Sequence, residues 1–341
     1  MYWSAHSEFP AEDLEPVARH LPGGRGRRAE LEKAEDAQPV YHLLGGLEVD
    51  EECLQRARFL SAGGYAEVYS VASKSGSRAI AMKQLRGTVD FKHVQREVKV
   101  ISHLPSSELV VKFHGYSIRG PHSRCQVSLF FELVDFGSLA TLIPPRRDAL
   151  ASEMIRFIIH QVNQGLAFLH KFLVHHRDVK PGNVLVTQTG LCKLADFGLS
   201  KIAGGSTSQT HSNIGTGTQE YLAPEALETL RYSLSSDIWA MGCLFQWLLT
   251  GRGPFEEYRF PIFPMMKHME ALRSGIINFA GPPLPSAFQF PSDQAASYRS
   301  QCFTFDSKNR PKANVLLQHK YFDHLDREHE SARFCQFLMG S

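Results

Sequence analysis

Paired cysteine chemistry is missing from this chain. Its six cysteines, Cys53, Cys125, Cys192, Cys243, Cys302 and Cys335, lie far apart and form neither a Cys-x-x-Cys pair nor a Cys/His cluster. A disulfide framework and a zinc site are thereby excluded as organising features, and the thiols read as reduced ones of a cytoplasmic protein, with the nucleus as the other compartment that fits. No apolar run reaches the roughly 18 residues that a membrane helix needs. The opening Met1-Tyr2-Trp3-Ser4-Ala5-His6-Ser7-Glu8 has no basic stretch leading into an apolar one, so the sequence predicts a soluble, non-secreted chain without membrane insertion. Net charge is nearly absent too. With 37 Lys and Arg against 35 Asp and Glu, the formal charge is +2, which gives no bulk electrostatic case for a nucleic-acid partner. Internal repeats and low-complexity tracts are also lacking.

What is present is enough apolar material for a sizeable core, 43% of 341 residues, spread unevenly along the chain. Residues 1–40 mix Pro, Gly, acids and a small basic knot at Arg25, Arg27 and Arg28 without periodicity, and read as a disordered extension. From Leu60 to Val134 the chain is strand-rich. Strands are predicted over Glu67–Val71, Arg78–Leu85, Val110–Tyr116 and Gln126–Val134. One helix interrupts them over Phe91–Leu104, where Val94, Val98, Ile101 and Leu104 recur at spacings of three and four. Beyond Phe136-Gly137-Ser138 the pattern turns helical, with helices predicted over Ala151–Leu169, Leu234–Leu249, Met265–Ser274 and Ala295–Phe303 and a loop over Glu256–Pro264. The pattern predicts two lobes meeting near Leu133–Gly137. The final residues, 324–341, read as a tail that is apolar at Phe334-Cys335-Gln336-Phe337-Leu338-Met339 and folds back onto the larger lobe.

The densest chemistry lies in His175-His176-Arg177-Asp178-Val179-Lys180-Pro181-Gly182-Asn183. A carboxylate there can accept the proton of an attacking hydroxyl, Lys180 can neutralise a phosphoryl group in transfer, and Asn183 can hold a magnesium ion. Asp196-Phe197-Gly198 follows and supplies a second metal-binding carboxylate. His-Arg-Asp-x-Lys-x-x-Asn followed by Asp-Phe-Gly resembles the eukaryotic-type protein kinase family.

That resemblance runs in order from about residue 57 to 323. Leu60-Ser61-Ala62-Gly63-Gly64-Tyr65-Ala66-Glu67-Val68-Tyr69 is similar to the glycine-rich turn over ATP phosphates, although of the three glycines of Gly-x-Gly-x-x-Gly only the second, Gly63, is kept, with Ser61 and Ala66 at the other two positions. Ile80-Ala81-Met82-Lys83 resembles the strand carrying the phosphate-anchoring lysine, and Glu97 stands where its partner would be. Phe131-Glu132-Leu133-Val134 resembles the adenine hinge, Phe131 taking the gatekeeper position. Ala223-Pro224-Glu225 resembles the end of an activation segment, with Arg310 as the expected partner of Glu225. Asp237-Ile238-Trp239 resembles the start of the central helix, with Asp237 capping the catalytic loop.

The resemblance implies an α+β fold of two lobes: a small β-rich N-lobe over about 57–134 with one key helix, and a mainly helical C-lobe over about 135–323. It implies Mg2+ and ATP as cofactors. Asp178, Lys180, Lys83 and Glu97 would form the catalytic set, and Asn183 and Asp196 would bind metal. Leu60, Gly63, Gly64, Val68, Ala81, Lys83, Glu132, Val134 and Leu185 would line the ATP site. Lys180, together with Gly217-Thr218-Gln219-Glu220-Tyr221 ahead of Ala-Pro-Glu, resembles the serine/threonine branch, with a loose likeness to the kinases of MAP kinase cascades. The implied function is transfer of the γ-phosphoryl group of Mg-ATP to Ser or Thr hydroxyls of protein substrates. The alternative is a pseudokinase or scaffold that binds nucleotide or partners with little catalysis, although Lys83, Asp178, Asn183 and Asp196 are all present. Between Asp196 and Glu225 the hydroxyl-rich stretch offers Thr210, Ser212 and Thr216 as phosphorylation sites for an upstream activating kinase. The added phosphate would pair with Arg177, which the sequence presents as an unpaired cation facing that segment.

Overall fold

The computed structural model describes residues 40–43, 48–63, 66–76, 79–86, 98, 101–102, 104–119, 126–196, 201–202, 219–229, 232–254 and 281–340. The chain divides into two compact units, one of Met1–Pro105 with Phe113–Leu133, the other of Ser106–Lys112 with Val134–Ser341. Among the described residues no helix is long and apolar enough to cross a membrane.

The first unit is built on one six-stranded sheet. Its strands are β1 (Val40–Leu43), β2 (Arg58–Ala62), β3 (Ala66–Ala72), β4 (Ala79–Leu85), β5 (Phe113–Arg119) and β6 (Gln126–Glu132), ordered β1-β5-β6-β4-β3-β2. Every pairing is antiparallel. Strand period two sorts the side chains. Val71, Ile80, Met82 and Phe130 fall on one face and form the core with Val49, against which Cys53 and Leu54 of the short helix α1 (Glu51–Gln55) pack. Asp50 caps that helix by accepting the Cys53 N–H at 3.0 Å. Val68, Ala81 and Lys83 fall on the opposite face, where Val68 pairs with Lys83 and Ser70 with Ala81.

Two boundaries differ from the sequence expectation. The strand read over Val110–Tyr116 starts at Phe113 and runs to Arg119. Val110 belongs to the second unit and makes an isolated parallel bridge there to Leu194, whose carbonyl accepts the Val111 N–H at 2.9 Å. β-branched residues suit either pairing, so their run alone does not mark where the sheet changes. At Gly115, with φ 137°, β5 bulges against β6 between its Phe113 and Gly115 pairings, a conformation that favours glycine. Strand β1 and helix α1 also lie ahead of residue 57, where the sequence reading opens the domain. Of the expected helix at 91–104, Val98, Ile101 and Ser102 are helical, with Val98 and Ile101 buried. Residues 91–97, 99–100 and 103 lie outside the described ones, as do residues 1–39, 256–264 and 265–274.

The second unit is mainly helical. After β7 (Gly137–Ser138) and α2 (Leu139–Leu142) come α3 (Ser152–Lys171), β8 (Val174–His175), β9 (Val184–Val186), β10 (Cys192–Leu194), β11 (Lys201–Ile202), α4 (Pro224–Thr229), α5 (Leu234–Thr250), α6 (Asp293–Cys302), α7 (Ala313–Leu316) and α8 (Arg327–Met339). Helix α5 is buried on nearly all sides, as its apolar sequence requires. Ser233 opens it with a capping box to Ser236 and Gly251, at φ 76°, closes it. Around it pack Tyr298, Phe303, Tyr321 and Phe322, with Phe245 edge-on to Tyr298 at 5.5 Å and Trp239 edge-on to Phe303 at 5.0 Å. The C-terminal residues are helical: α8 buries Phe334 and Leu338, and the Phe334 ring meets Phe157 of α3 at 6.3 Å.

Candidate active site

The chain from β8 to β10 carries the catalytic-loop residues on short, tightly held backbone. Lys180 precedes a 3-10 turn, Pro181–Asn183, whose first position suits proline. The turn, closed by Asn183 N–H to the Lys180 carbonyl at 3.0 Å, brings the Asn183 side chain back to Asp178. There Nδ2 donates to the Asp178 carbonyl at 2.8 Å and to its Oδ2 at 2.7 Å. Lys180 Nζ reaches the same Oδ2 at 2.7 Å. Asp178, Lys180 and Asn183 are thus one hydrogen-bonded group.

Strands β9 and β10 pair antiparallel, Val184 with Leu194, and so return the chain to Asn183. Ala195 N–H donates to the Asn183 carbonyl at 2.9 Å, which sets Asp196, at φ 64°, beside the loop. Leu185 sits on β9 opposite Ser138 of β7 and is half-buried, and Val134 is buried.

The loop is anchored from beneath by Asp237, 1% exposed. Its Oδ2 accepts the His176 N–H at 2.9 Å and its Oδ1 the Arg177 N–H at 2.8 Å, while His170 Nε2 lies 2.9 Å from Oδ2. Burial alone would raise this carboxyl, but the His170 bond, the neighbouring histidines and the Arg177 N–H hold it below its ordinary value. His176 is fully buried and burial pushes its pKa down. As a neutral ring it can accept the Asp178 N–H at Nδ1, 3.4 Å away, and donate from Nε2 to the Ala195 carbonyl at 3.0 Å. One histidine therefore ties the peptide of Asp178 to the peptide before Asp196.

The sequence expectation that Asp237 caps the loop holds in this geometry, and so does the Glu225–Arg310 pair. Arg310 Nη1 and Nη2 meet Glu225 Oε1 and Oε2 at 2.8 and 3.1 Å, and Ser236 Oγ adds a bond to Oε1 at 2.8 Å. The reading of Arg177 is corrected. Its guanidinium stacks over the Tyr232 ring, 4.1 Å from the centroid, so it is not an unpaired cation. Arg177 sits at φ 71°, and sequence separation hid the tyrosine. His170 was missed as well. Its position at the end of α3 gave no signal until the fold brought it to Asp237.

In the first unit Lys83 is half-buried on β4, between Val68 and Leu129 in register, and Ala81 lies between Ser70 and Phe131. Gly63 N–H bonds the Ala66 carbonyl at 2.8 Å across the β2–β3 turn. Leu60, 44% exposed, lies on β2, all five residues of which are exposed. Glu132 ends β6 opposite Ile80. Glu97, Gly64, Thr210, Ser212 and Thr216 lie outside the described residues.

The Protein kinase domain family matches residues 54–322. Mitogen-activated protein kinase kinase kinase A of Dictyostelium discoideum is 30% identical over 282 residues, covering 80% of this chain and 28% of that protein. MAP3K epsilon protein kinase 1 of Arabidopsis thaliana is 32% identical over 278 residues, 80% of this chain and 19% of that protein. Mitogen-activated protein kinase kinase kinase 19 of Homo sapiens is 31% identical over 287 residues, 80% of this chain and 20% of that protein. The chain spans less than a third of the length of each of these relatives. With the family match covering strands β2 to β6, the loop from His175 to Asn183 and the helical unit through α7, the chain belongs to the eukaryotic-type protein kinase family, in its serine/threonine branch.

Proposed function

We propose that this chain phosphorylates serine or threonine hydroxyls of protein substrates, and that the substrate is itself a kinase of a MAP kinase cascade. The observation that carries the catalytic part is the grouping at Asp178, whose Oδ2 lies 2.7 Å from both Lys180 Nζ and Asn183 Nδ2. Asp178 is the base that accepts the hydroxyl proton, and Lys180 neutralises charge on the transferring group. Lys83, with Glu97 as its partner, anchors the phosphates. Leu60, Gly63, Gly64, Val68, Ala81, Glu132, Val134 and Leu185 hold the nucleotide.

The donor set suits magnesium. Asp196 offers a carboxylate and Asn183 an amide oxygen, both hard ligands, and among the described residues no cluster of three His, Cys, Asp or Glu side chains forms a complete metal cage. A cation held by one or two protein oxygens and completed by phosphates fits that donor set, as it does Mg2+. Bound there, Mg2+ would offset phosphate charge. Asn183 and Asp196 would orient it from one pinned backbone.

The cascade assignment is supported by relatives named as MAP kinase kinase kinases. Activation by an upstream kinase acting at Thr210, Ser212 or Thr216 belongs to the same proposal. Five described cysteines are free thiols, which suits a cytoplasmic or nuclear setting.

Replacing Asp178 with Asn tests the central role. Turnover on a protein substrate should fall by about a hundredfold or more with nucleotide affinity kept, because the base touches the hydroxyl and not ATP. Lys83→Met should remove turnover while the protein stays folded. Calorimetry showing ATP binding lost in Asp178→Asn would overturn the base assignment. Failure of the parent chain to phosphorylate an inactive MAP kinase kinase, while phosphorylating other proteins, would overturn the cascade assignment alone.

A further inference from the structure

The turn between β9 and β10 is held from outside by three side chains on three successive carbonyls. Cys335 Sγ donates to the Gln188 carbonyl at 3.2 Å, Ser331 Oγ to the Thr189 carbonyl at 2.6 Å, and Gln161 Nε2 to the Gly190 carbonyl at 3.3 Å. Gln161, buried on α3, also accepts the Cys192 N–H at Oε1, 3.0 Å away. Gly190 has φ +74°, and a Cβ there would come within 3.2 Å of Cys335 Sγ and of the Ser331 carbonyl. A side chain at position 190 would crowd α8 and strain the backbone, and glycine avoids both. Burial raises the Cys335 thiol pKa, which keeps it a protonated donor.

The hairpin so held is short. β9 begins at Val184, directly after Asn183, and β10 ends at Leu194, two residues before Asp196. Three paired residues connect the turn to Asn183 on one side and to Ala195 and Asp196 on the other. Helix α8, Arg327–Met339, lies beyond the 54–322 family match, so two of the three supporting side chains come from outside the matched domain. Phe334 and Leu338 anchor it to the unit independently of the turn.

We propose that α3 and α8 form a socket for the β9–β10 turn, and that Gln161 and Ser331 are positioning residues that set Asn183 and Asp196 for the divalent cation of the nucleotide. This rests on the metal-binding reading of those two residues given above. Supporting groups behind metal ligands commonly carry about ten- to hundredfold in affinity.

The test uses the full chain with Mn2+ and a non-hydrolysable ATP analogue, and reads bound Mn2+ by electron paramagnetic resonance. Gln161→Leu with Ser331→Ala should weaken Mn2+ binding about tenfold. Amide exchange at Cys192 and Ala195 should speed up, and kcat should fall with the peptide KM unchanged. Ser331→Ala alone, at a half-exposed site that tolerates the change, should move each readout in the same direction, and Ser331→Thr should restore them. Urea stability lost with Mn2+ affinity kept would make the contacts structural only and overturn the proposal. Asp196→Asn separates the two readings. If Asp196→Asn loses Mn2+ while the socket variants keep it, the socket alone fails. If Asp196→Asn keeps Mn2+, the metal reading fails and the socket with it.

Discussion

Arg310–Glu225 and Arg86–Glu67 are the same pair of residue types in opposite surroundings. In the second unit the Arg310 side chain is 0% exposed and its fork meets both Glu225 oxygens, while Nε, Nη1 and Nη2 also reach the Thr304, Ser235 and Phe305 carbonyls. In the first unit Arg86 Nη2 meets Glu67 Oε1 at a comparable 2.7 Å, but the two side chains are 48% and 30% exposed. Distance does not separate them. Solvent does: a buried charge that loses its partner cannot recover hydration, whereas an exposed one exchanges a protein bond for a water bond. The fold uses the first kind of pair to fix α4 against the start of α5, and the second kind only to dress the exposed end of the β3–β4 pairing.

The largest expected effect comes from breaking the buried member. Arg310→Met should destabilise by about 3 kcal/mol or more, since it strands Glu225 and three carbonyls at once. Glu225→Gln should cost less, because Arg310 keeps its bonds to the Thr304, Ser235 and Phe305 carbonyls. Urea midpoints of the two variants check this. A loss for Arg310→Met no greater than that for Arg86→Ala would remove the distinction on which the comparison rests.

Acid sharpens it through a buried group that has no countercharge. His160 on α3 is 5% exposed, meets the Phe322 ring at 4.9 Å and leaves Nδ1 without a partner. Burial first, and Arg327 second, push its pKa from 6.5 down to about 4. The unfolded ring binds a proton below about pH 6.5 and the folded one does not until about pH 4. Stability is therefore complete above pH 6.5 and falls as the pH drops through that window. The loss to pH 4 should be about 2 kcal/mol from this residue, after allowing for water that still screens part of the ring. His160→Leu should flatten the acid limb of urea stability measured from pH 7.5 to 4.5. An unchanged slope would mean that the ring is protonated in the folded state.

The geometry was legible in the sequence where polar residues crowd into a few positions. Asp178, Lys180 and Asn183 are close in sequence and close in space, so spacing alone described their geometry. Glu225 with Arg310, and Asp237 under the loop, are distant in sequence and were reached only through the family pattern. What no pattern supplied was side-chain environment. Arg177 looked like a free cation because Tyr232 lies far along the chain, and Val110-Val111 looked like sheet because a parallel bridge to Leu194 uses the same residue types. Helix α8 read as an apolar tail. Its polar face, with Ser331 and Cys335 on a hairpin turn, becomes visible only when the hairpin is folded.

The smallest expected effect belongs to the exposed pair. Glu67 accepts from Arg86 at one oxygen and from the Tyr69 hydroxyl at the other, 2.8 Å away, and these two bonds hold its carboxyl below its ordinary value, the Arg86 bond contributing most. A lowered carboxyl favours the folded state above its unfolded pKa and loses that contribution as acid protonates it. Water and salt screen the pair, however, and Tyr69 is also held by its ring, edge-on to Phe59 at 5.8 Å. Arg86→Ala should leave the urea midpoint at pH 7 where it was, at low salt and at high salt alike. Tyr69→Phe, which keeps the ring and removes the hydroxyl, should behave the same way. Val68, next to Glu67 and opposite Lys83, should then keep its place, so the ATP KM should be unchanged in both variants. A salt-dependent loss approaching that of Arg310→Met would show that Glu67 helps to hold β3 against β4, and that exposure alone does not rank the two pairs.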